Sequence, residues 1–395
     1  MVVALALLAL CLPTQAQDKP QPQKITLRSY GESSQSVLEA FAAQLGYGVV
    51  LPDASDDTGG SLEDPCWLSL KDAGVEQAAA ALSRAFGLRV SIHHDLKKVS
   101  ARSFMTTPRR VTRGYDVSVL CARYVDYVNR FNGAKPAKGF VERPASAHLL
   151  DHLLGVMEVA GLRGDAGSAA GQRLLFSLEE SEHAQLRELL GLLMNDKGGA
   201  SAACAAQRQT LDALERVTWE EEITERPVAS VLAAVFAKAG RDFVISHAMA
   251  RDLGEAHINR ARAEGLTGAG LLRDLMDNHQ FGLGATAGLA VLGDRETVNW
   301  GSYRVFELKP LLERLAQEYV NQRTKPRDGG FEGDISSLGG LSVITSALQQ
   351  QADGRELACT LKSFGTRLVA LGSAQTLEEL AAILKEMGFE EPKED

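Results

Sequence analysis

Two histidines four residues apart are the first side chains whose types and spacing could support chemistry. His148 and His152 fall in a segment of helical periodicity, with Asp151 beside them. Such a pair on one face of a helix can hold a metal ion when further ligands complete the site. No motif supplies a third ligand, and a solvated helix face accounts for the same residues. We therefore predict no metal and no other cofactor.

A cluster of acidic residues precedes the next predicted helix. It contains Glu179, Glu180 and Glu182, followed by His183. Paired carboxylates can act as general acid and base. Acidic residues also stabilise the N-terminal end of a helix, where the helix dipole is positive, and this explains the cluster without catalysis. The sequence contains no recognisable signature of a Ser/His/Asp or Cys/His arrangement either, so no catalytic residue is predicted.

Three glycines, Gly265, Gly268 and Gly270, precede another predicted helix. Glycine-rich loops before helices can cradle a phosphate group with their backbone amides. The order of these glycines is not that of GxGxxG, and the residues before them do not resemble a buried strand. The spacing therefore favours a turn over a nucleotide site.

The body of the chain contains four cysteines, Cys66, Cys121, Cys204 and Cys359. They permit three disulfide pairings, among which the sequence cannot choose, and none has the spacing of a metal motif. Four cysteines in so long a chain are far from a disulfide-dense scaffold. Buried free thiols are the favoured interpretation.

Basic side chains are concentrated at one place, where two predicted modules join. Arg102, Arg109, Arg110 and Arg113 lie there, and two lysines precede them. Such a concentration can meet an acidic partner or lipid headgroups. A solvated linker explains it without a partner. These four arginines are the candidate partner-binding residues of the chain.

The elements that must position these side chains belong to a chain of ordinary globular composition. It has 395 residues, of which 45% are hydrophobic and 24% are charged. These values are typical of a folded protein with two or more domains. The net charge of −9 argues against a nucleic-acid binder, which would normally carry a basic excess.

The N-terminus resembles an export signal. An apolar run from Val2 to Leu12 is followed by small and polar residues, which is typical of a secretory signal peptide over residues 1–16. No lysine or arginine precedes the run, and a buried N-terminal helix is the alternative. The signal peptide predicts an exported, periplasmic protein. No apolar run is long enough to span a bilayer, so we predict that the protein does not cross the membrane.

The chain repeats itself. VLEAFAAQLG from residue 37 resembles VLAAVFAKAG from residue 231, an offset of 194 residues (231 − 37), and an apolar strand follows each copy. YDVSVL from Tyr115 resembles YRVFEL from Tyr303. RLLFSLEESEHAQLRELLGLL from Arg173 resembles RLVALGSAQTLEELAAILKEM from Arg367. Three matches in the same order predict a tandem duplication.

Each half divides into two small modules in which strands alternate with helices. This alternation predicts an α+β fold built from tandem strand–helix–strand modules. The small and polar stretch between the halves is predicted as a linker or a weak helix. After the signal peptide, the predicted boundaries are 24–104, 112–197, a linker at 198–212, 217–300 and 301–390.

The segment SLEDPCWLSLKDAGVEQAAAALSRAFGLRVSIHHD, from residue 61, resembles the short N-terminal domain of secretins and TonB-dependent receptors, the STN domain. In that family a phrase like "slxlkd" leads into a helix and then a strand. Residues 68–72 match the phrase, and Val75, Ala78 and Leu82 match the helix. The segment from residue 223 is similar but lacks the phrase. The modules beginning near Tyr115 and Tyr303 resemble the small ring-building domains of secretins.

This resemblance implies two STN-like domains, each followed by a ring-building-like module, without the β-rich channel of a secretin or the barrel of a receptor. It implies an exported, non-enzymatic interaction or assembly protein of the bacterial cell envelope. The partner would be another envelope protein or a second copy of the chain. The alternative is a periplasmic small-molecule binder or enzyme with a cleft between the two halves.

Overall fold

The computed structural model describes residues 23–51, 62–102, 110–131, 145–160, 162, 167–260, 265–286, 288–298, 301–314 and 340–389. Within them, helices alternate with strands that form several small sheets. The predicted α+β class is therefore confirmed. The predicted signal peptide lies outside the described residues. Every helix among the described residues is too short or too polar to cross a lipid bilayer.

The first segment contains two strand–helix units. Its elements are β1 (Lys24–Ser33), α1 (Ser34–Leu45), β2 (Gly48–Val50), β3 (Pro65–Gly74), α2 (Val75–Phe86), β4 (Arg89–His93) and β5 (Lys98–Arg102). β1 and β3 pair antiparallel, whereas β2 runs parallel to β5 and β4 runs antiparallel to it.

Local signals in the sequence explain where α1 begins and ends. The hydroxyl of Ser33 accepts a hydrogen bond from the amide of Ser36 and caps the first turn. Gly46 ends the helix at φ 69°, a left-handed conformation that glycine adopts without strain. The side chains predicted to form the apolar face are buried: Val37, Leu38, Phe41, Ala42 and Leu45.

A second segment of similar composition follows in the other half of the chain. Its elements are β10 (Ile223–Pro227), α7 (Val228–Lys238), β11 (Phe243–Ile245), α8 (His247–Glu255), β12 (His257–Arg260), α9 (Gly268–His279), β13 (Phe281–Thr286), β14 (Leu289–Asp294) and α10 (Arg295–Val298).

The two segments pair their strands in the same way. In both, the strand after the first helix runs parallel to the last strand, giving the orders β2-β5-β4 and β11-β14-β13. The antiparallel pairs also agree in register. Tyr30 lies opposite Trp67, and Ile223 lies opposite Arg260, an offset of 193 residues on both strands (223 − 30). Helix α8 has no counterpart among the described residues of the first segment.

The remaining modules share a second arrangement. The first has β6 (Val111–Asp116), α3 (Ser118–Phe131), α4 (Ala145–Val159), β7 (Gly167–Ala170), β8 (Arg173–Leu178) and α5 (Glu180–Met194). The second has β15 (Tyr303–Glu307), a helix α11 at 309–314, α12 (Gly340–Gly354), β16 (Cys359–Phe364), β17 (Arg367–Gly372) and α13 (Ala374–Glu386). The strand orders are β6-β8-β7 and β15-β17-β16, with all pairs antiparallel.

The stretch predicted as a linker or weak helix is packed into the second half. Residues 198–200 form β9, which pairs antiparallel with β15. Helix α6 (Ala202–Glu215) follows, capped by the hydroxyl of Ser201, and it buries Cys204, Gln207 and Leu214. The end of the first half therefore completes the last sheet of the second half.

The predicted modules are also joined by a strand pair and by a shared core. β3 pairs antiparallel with β11, with Leu68 opposite Val244 and Ser69 opposite Phe243. This pair makes one five-stranded sheet in the order β1-β3-β11-β14-β13. Val305 and Val369 of the last module pack into the same core as α4 and α5. Because apolar surface is buried between halves, each stabilises the other.

Candidate functional site

Three of the four candidate arginines lie within the described residues, and two of them have partners in the chain. Arg102 is exposed at the end of β5, and Arg109 lies outside the described residues. Arg110 is exposed and already has an interaction partner. The guanidinium of Arg113 makes an ion pair with Glu180 at 2.5 Å.

The acidic cluster at the start of α5 holds the first two modules together. Glu179 and Glu182 form a reciprocal capping box, as expected for a helix start. Glu179 also pairs with Arg89 of β4 at 3.1 Å, and this contact joins the first segment to the second module. Since Glu179 and Glu180 are both bound to arginines, the structure gives neither carboxylate the role of a catalytic base.

His183 is fully buried beside this cluster, and both of its ring nitrogens make hydrogen bonds. Its Nε2 lies 2.6 Å from the carbonyl oxygen of Val111, and its Nδ1 lies 2.6 Å from the hydroxyl of Tyr115. A carbonyl only accepts, so Nε2–H donates to Val111 and Nδ1 accepts from Tyr115. Burial raises the pKa of Tyr115. The histidine is thus satisfied and fixes β6 against α5.

Of the histidine pair on α4, only His152 has a described side chain. Nε2 of His152 contacts the hydroxyl of Tyr124 at 2.9 Å. The side chain of His148 lies outside the description. Across the described ranges, no group of three or more His, Cys, Asp or Glu side chains is placed to hold a metal ion.

Of the three glycines, Gly265 lies in a turn at φ +74°, whereas Gly268 and Gly270 lie in the first turn of α9. The amide of Gly268 donates to the carbonyl of Val217 at 2.7 Å. The amide of Gly270 donates to the hydroxyl of Thr267, which caps α9. These two amides are no longer available to a phosphate group, and the predicted turn is limited to the residues before α9.

All four cysteines of the body are free thiols. Cys66, Cys121 and Cys204 are buried, and Cys359 is half-buried. Burial raises the pKa of the Cys66 thiol to about 12. The favoured prediction of free thiols is confirmed, although one of them is only partly covered.

A cavity of about 220 Å³ lies inside the second half of the chain. Helices α6 and α9, strand β13 and the start of α13 line it, mostly with apolar side chains. Arg273 and Arg295 add positive charge at its wall, and Arg295 makes an ion pair with Asp277 at 2.9 Å. The cavity is large enough for a small organic molecule but does not lie between the halves.

The space found between the halves is much smaller. It measures about 20 Å³ and lies between α3, α5 and the turn that joins β16 to β17. Such a volume has room for roughly one water molecule. The described residues therefore show no cleft here in which polar side chains from both halves could surround a ligand.

Reasoning from the sequence missed one feature, the open edge of β2. In its three-stranded sheet β2 pairs with β5. Val50 and Leu51 are 41% and 39% exposed. The only sequence signal of the open edge is the lack of charged residues from residue 47 to residue 51. The sequence does not show which strands of a repeat pair with a neighbouring strand.

No family model matches this chain, and no curated protein shows significant similarity to it. The resemblance to the STN domain therefore depends on the residues quoted above, and the function is argued from the geometry of the chain.

Proposed function

We propose that this chain is an exported, non-enzymatic interaction protein of the bacterial cell envelope. It consists of two STN-like domains, at 24–104 and 217–300, each followed by a ring-building-like module. The equal strand pairing and register of the two segments support a duplication. The apolar N-terminal run followed by small and polar residues supports export.

The observation that carries the proposal is the pairing of β3 with β11. One STN-like segment binds the other by adding a strand to its sheet. Strand addition is a general mode of protein recognition, because the main chain supplies hydrogen bonds and alternate side chains supply specificity. Modules that contact each other in this way are suited to binding partners by the same means.

The state of the candidate catalytic residues agrees with an interaction role. The acidic side chains of α5 are bound to arginines, His183 is bound to Tyr115 and Val111, and the glycine amides are bound to their own chain. Each of these groups has a structural partner that accounts for its position. None requires a substrate to explain it.

Affinity purification from cross-linked cells tests this proposal. The full chain, carrying a C-terminal tag, is purified from the envelope fraction of the cells that make it. We expect a defined envelope protein, or a second copy of the chain, to co-purify in stoichiometric amount. Recovery of the chain in the cytosolic fraction without a partner would contradict both export and the interaction role.

The cavity in the second half favours one second candidate, a small-molecule binder. Its apolar wall and its two arginines would suit a small organic anion with an apolar body. A thermal-shift screen with such anions tests this candidate. Stabilisation that disappears when the wall is filled by Leu272→Trp would support it, whereas no stabilisation by any compound would exclude it.

A further inference from the structure

The same strand has different surroundings in the two STN-like segments. At the offset of 194 residues (244 − 50), Val50 of β2 corresponds to Val244 of β11, and Leu51 corresponds to Ile245. Val244 and Ile245 are completely buried. Val50 and Leu51 are 41% and 39% exposed. The side chains are equally apolar, so the difference arises from what packs around each strand, including the neighbouring strand.

In the second segment the neighbour is β3. It runs antiparallel to β11 and places the fully buried Leu68 opposite Val244. In the first segment β2 has β5 on one side, and no described strand occupies the other side. The open edge of β2 is thus in the position that β3 fills beside β11.

The composition of the β2 edge suits a partner strand. Exposed edges are usually protected by charged side chains, which prevent another chain from pairing with them. Residues 47–51 carry no charge.

We propose that the open edge of β2 accepts an extended segment of a partner protein. The segment would run antiparallel to β2, as β3 does to β11, and would carry apolar side chains on both faces, beside Val50 on one face of the sheet and beside Leu51 on the other. This inference rests on the proposed interaction function and specifies the surface through which it operates.

The chain's own β3 cannot be the occupant. It already pairs with β1 on one edge and with β11 on the other, so neither edge is available to β2. A second copy of the chain has its β3 engaged in the same way. We assign the edge to a different protein, whose strand resembles β3 in its apolar side chains. A second copy that pairs through another strand, such as β12, would appear as a dimer in analytical ultracentrifugation, and that result would overturn this assignment.

A labelled peptide provides the probe. It spans residues 65–73, which include Leu68 and Ser69, the residues of β3 that lie opposite β11, with Cys66→Ser to prevent oxidation. A peptide of the same composition in scrambled order is its control. We expect the full chain to bind the first peptide saturably in fluorescence anisotropy and to bind the scrambled one at least about tenfold more weakly. Hydrogen exchange at residues 49–51 should slow only with the first peptide.

Two matched substitutions locate the binding. Val50→Lys places a charge on the edge and should weaken peptide binding by about tenfold or more. Val119→Lys, at a 47% exposed position on α3, should leave it unchanged. No saturable binding to the unsubstituted chain, or equal binding to both variants, would overturn the proposal. If the Val50→Lys variant still co-purifies with the same envelope partner, the proposed binding at the β2 edge is wrong, whereas the proposed interaction function remains.

Discussion

At the scale of single residues, the most constrained side chain described is Arg367. It is only 3% exposed, and its guanidinium donates to Glu307 at 2.8 Å and to the carbonyls of Leu192 and Asn195. Burial lowers the pKa of this arginine, and the bonds to Glu307 oppose that shift. The side chain joins the end of α5 in the first half to two strands of the second.

Replacing Arg367 should therefore be costly. Arg367→Ala removes the cation paired with the nearly buried carboxylate of Glu307, which keeps neutral donors in the hydroxyl of Thr366 and the backbone amide of Lys309, and we expect a loss of about 3–5 kcal/mol in the free energy of unfolding. Arg355→Ala breaks the exposed ion pair with Glu386 and should cost less than about 1 kcal/mol. Urea unfolding of both variants measures the difference, and equal losses would contradict the role assigned to Arg367.

The cysteines give a second prediction at this scale. Burial raises the pKa of all four thiols, and that of Cys66 to about 12, so the reactive thiolate is scarce at neutral pH. The half-buried Cys359 should react with a thiol reagent before the three buried cysteines in the native chain. Timed labelling followed by peptide mass spectrometry gives the order. Labelling of Cys66 before Cys359 would contradict the burial of the Cys66 side chain.

At the scale of elements, β9 depends on a residue without a side chain. Gly198 has φ +71°, and a Cβ atom there would collide with the carbonyl oxygen of Val305. Gly240 has a similar φ, +62°, but no atom within 4 Å of a Cβ. A comparison of the two positions therefore distinguishes the cost of a left-handed backbone from the cost of a collision between two strands.

The matching prediction compares alanine at both positions. Gly240→Ala should cost about 1 kcal/mol, because only the left-handed backbone conformation opposes it. Gly198→Ala should cost more and should expose the edge of β15, because β9 must move away. Unfolding free energies and hydrogen exchange at residues 304–306 measure both effects. Unchanged exchange in Gly198→Ala would contradict the close pairing of β9 and β15.

Elements with local signals were predictable from the sequence. The helix over VLEAFAAQLG, the turn at Gly265 and the acidic start of α5 were predicted from signals within a few residues. β9 was not predicted as a strand, because Gly-Gly-Ala has low strand propensity and pairs only through contacts with β15. The pairing of β3 with β11 escaped prediction because it joins residues far apart in the chain, for which periodicity carries no information.

At the scale of the whole molecule, the predicted modules are interdependent. One sheet contains strands from residues 24–74 and from residues 243–294, one core is shared by the modules at 111–194 and 303–386, and β9 completes a sheet in the other half. Glu179, Glu180 and His183, which were considered as candidate catalytic residues, make structural contacts within this assembly. The open edge of β2 is the described surface best suited to a partner.

Photo-cross-linking at Val50 in intact cells tests the interaction role most directly. A photoreactive phenylalanine analogue replaces Val50 in one variant and Val119, similarly exposed on α3, in the other. We predict a single adduct between the chain and one envelope protein from position 50, and no such adduct from position 119. The absence of an adduct from position 50, or the same adduct from both positions, would contradict the proposed interaction through β2.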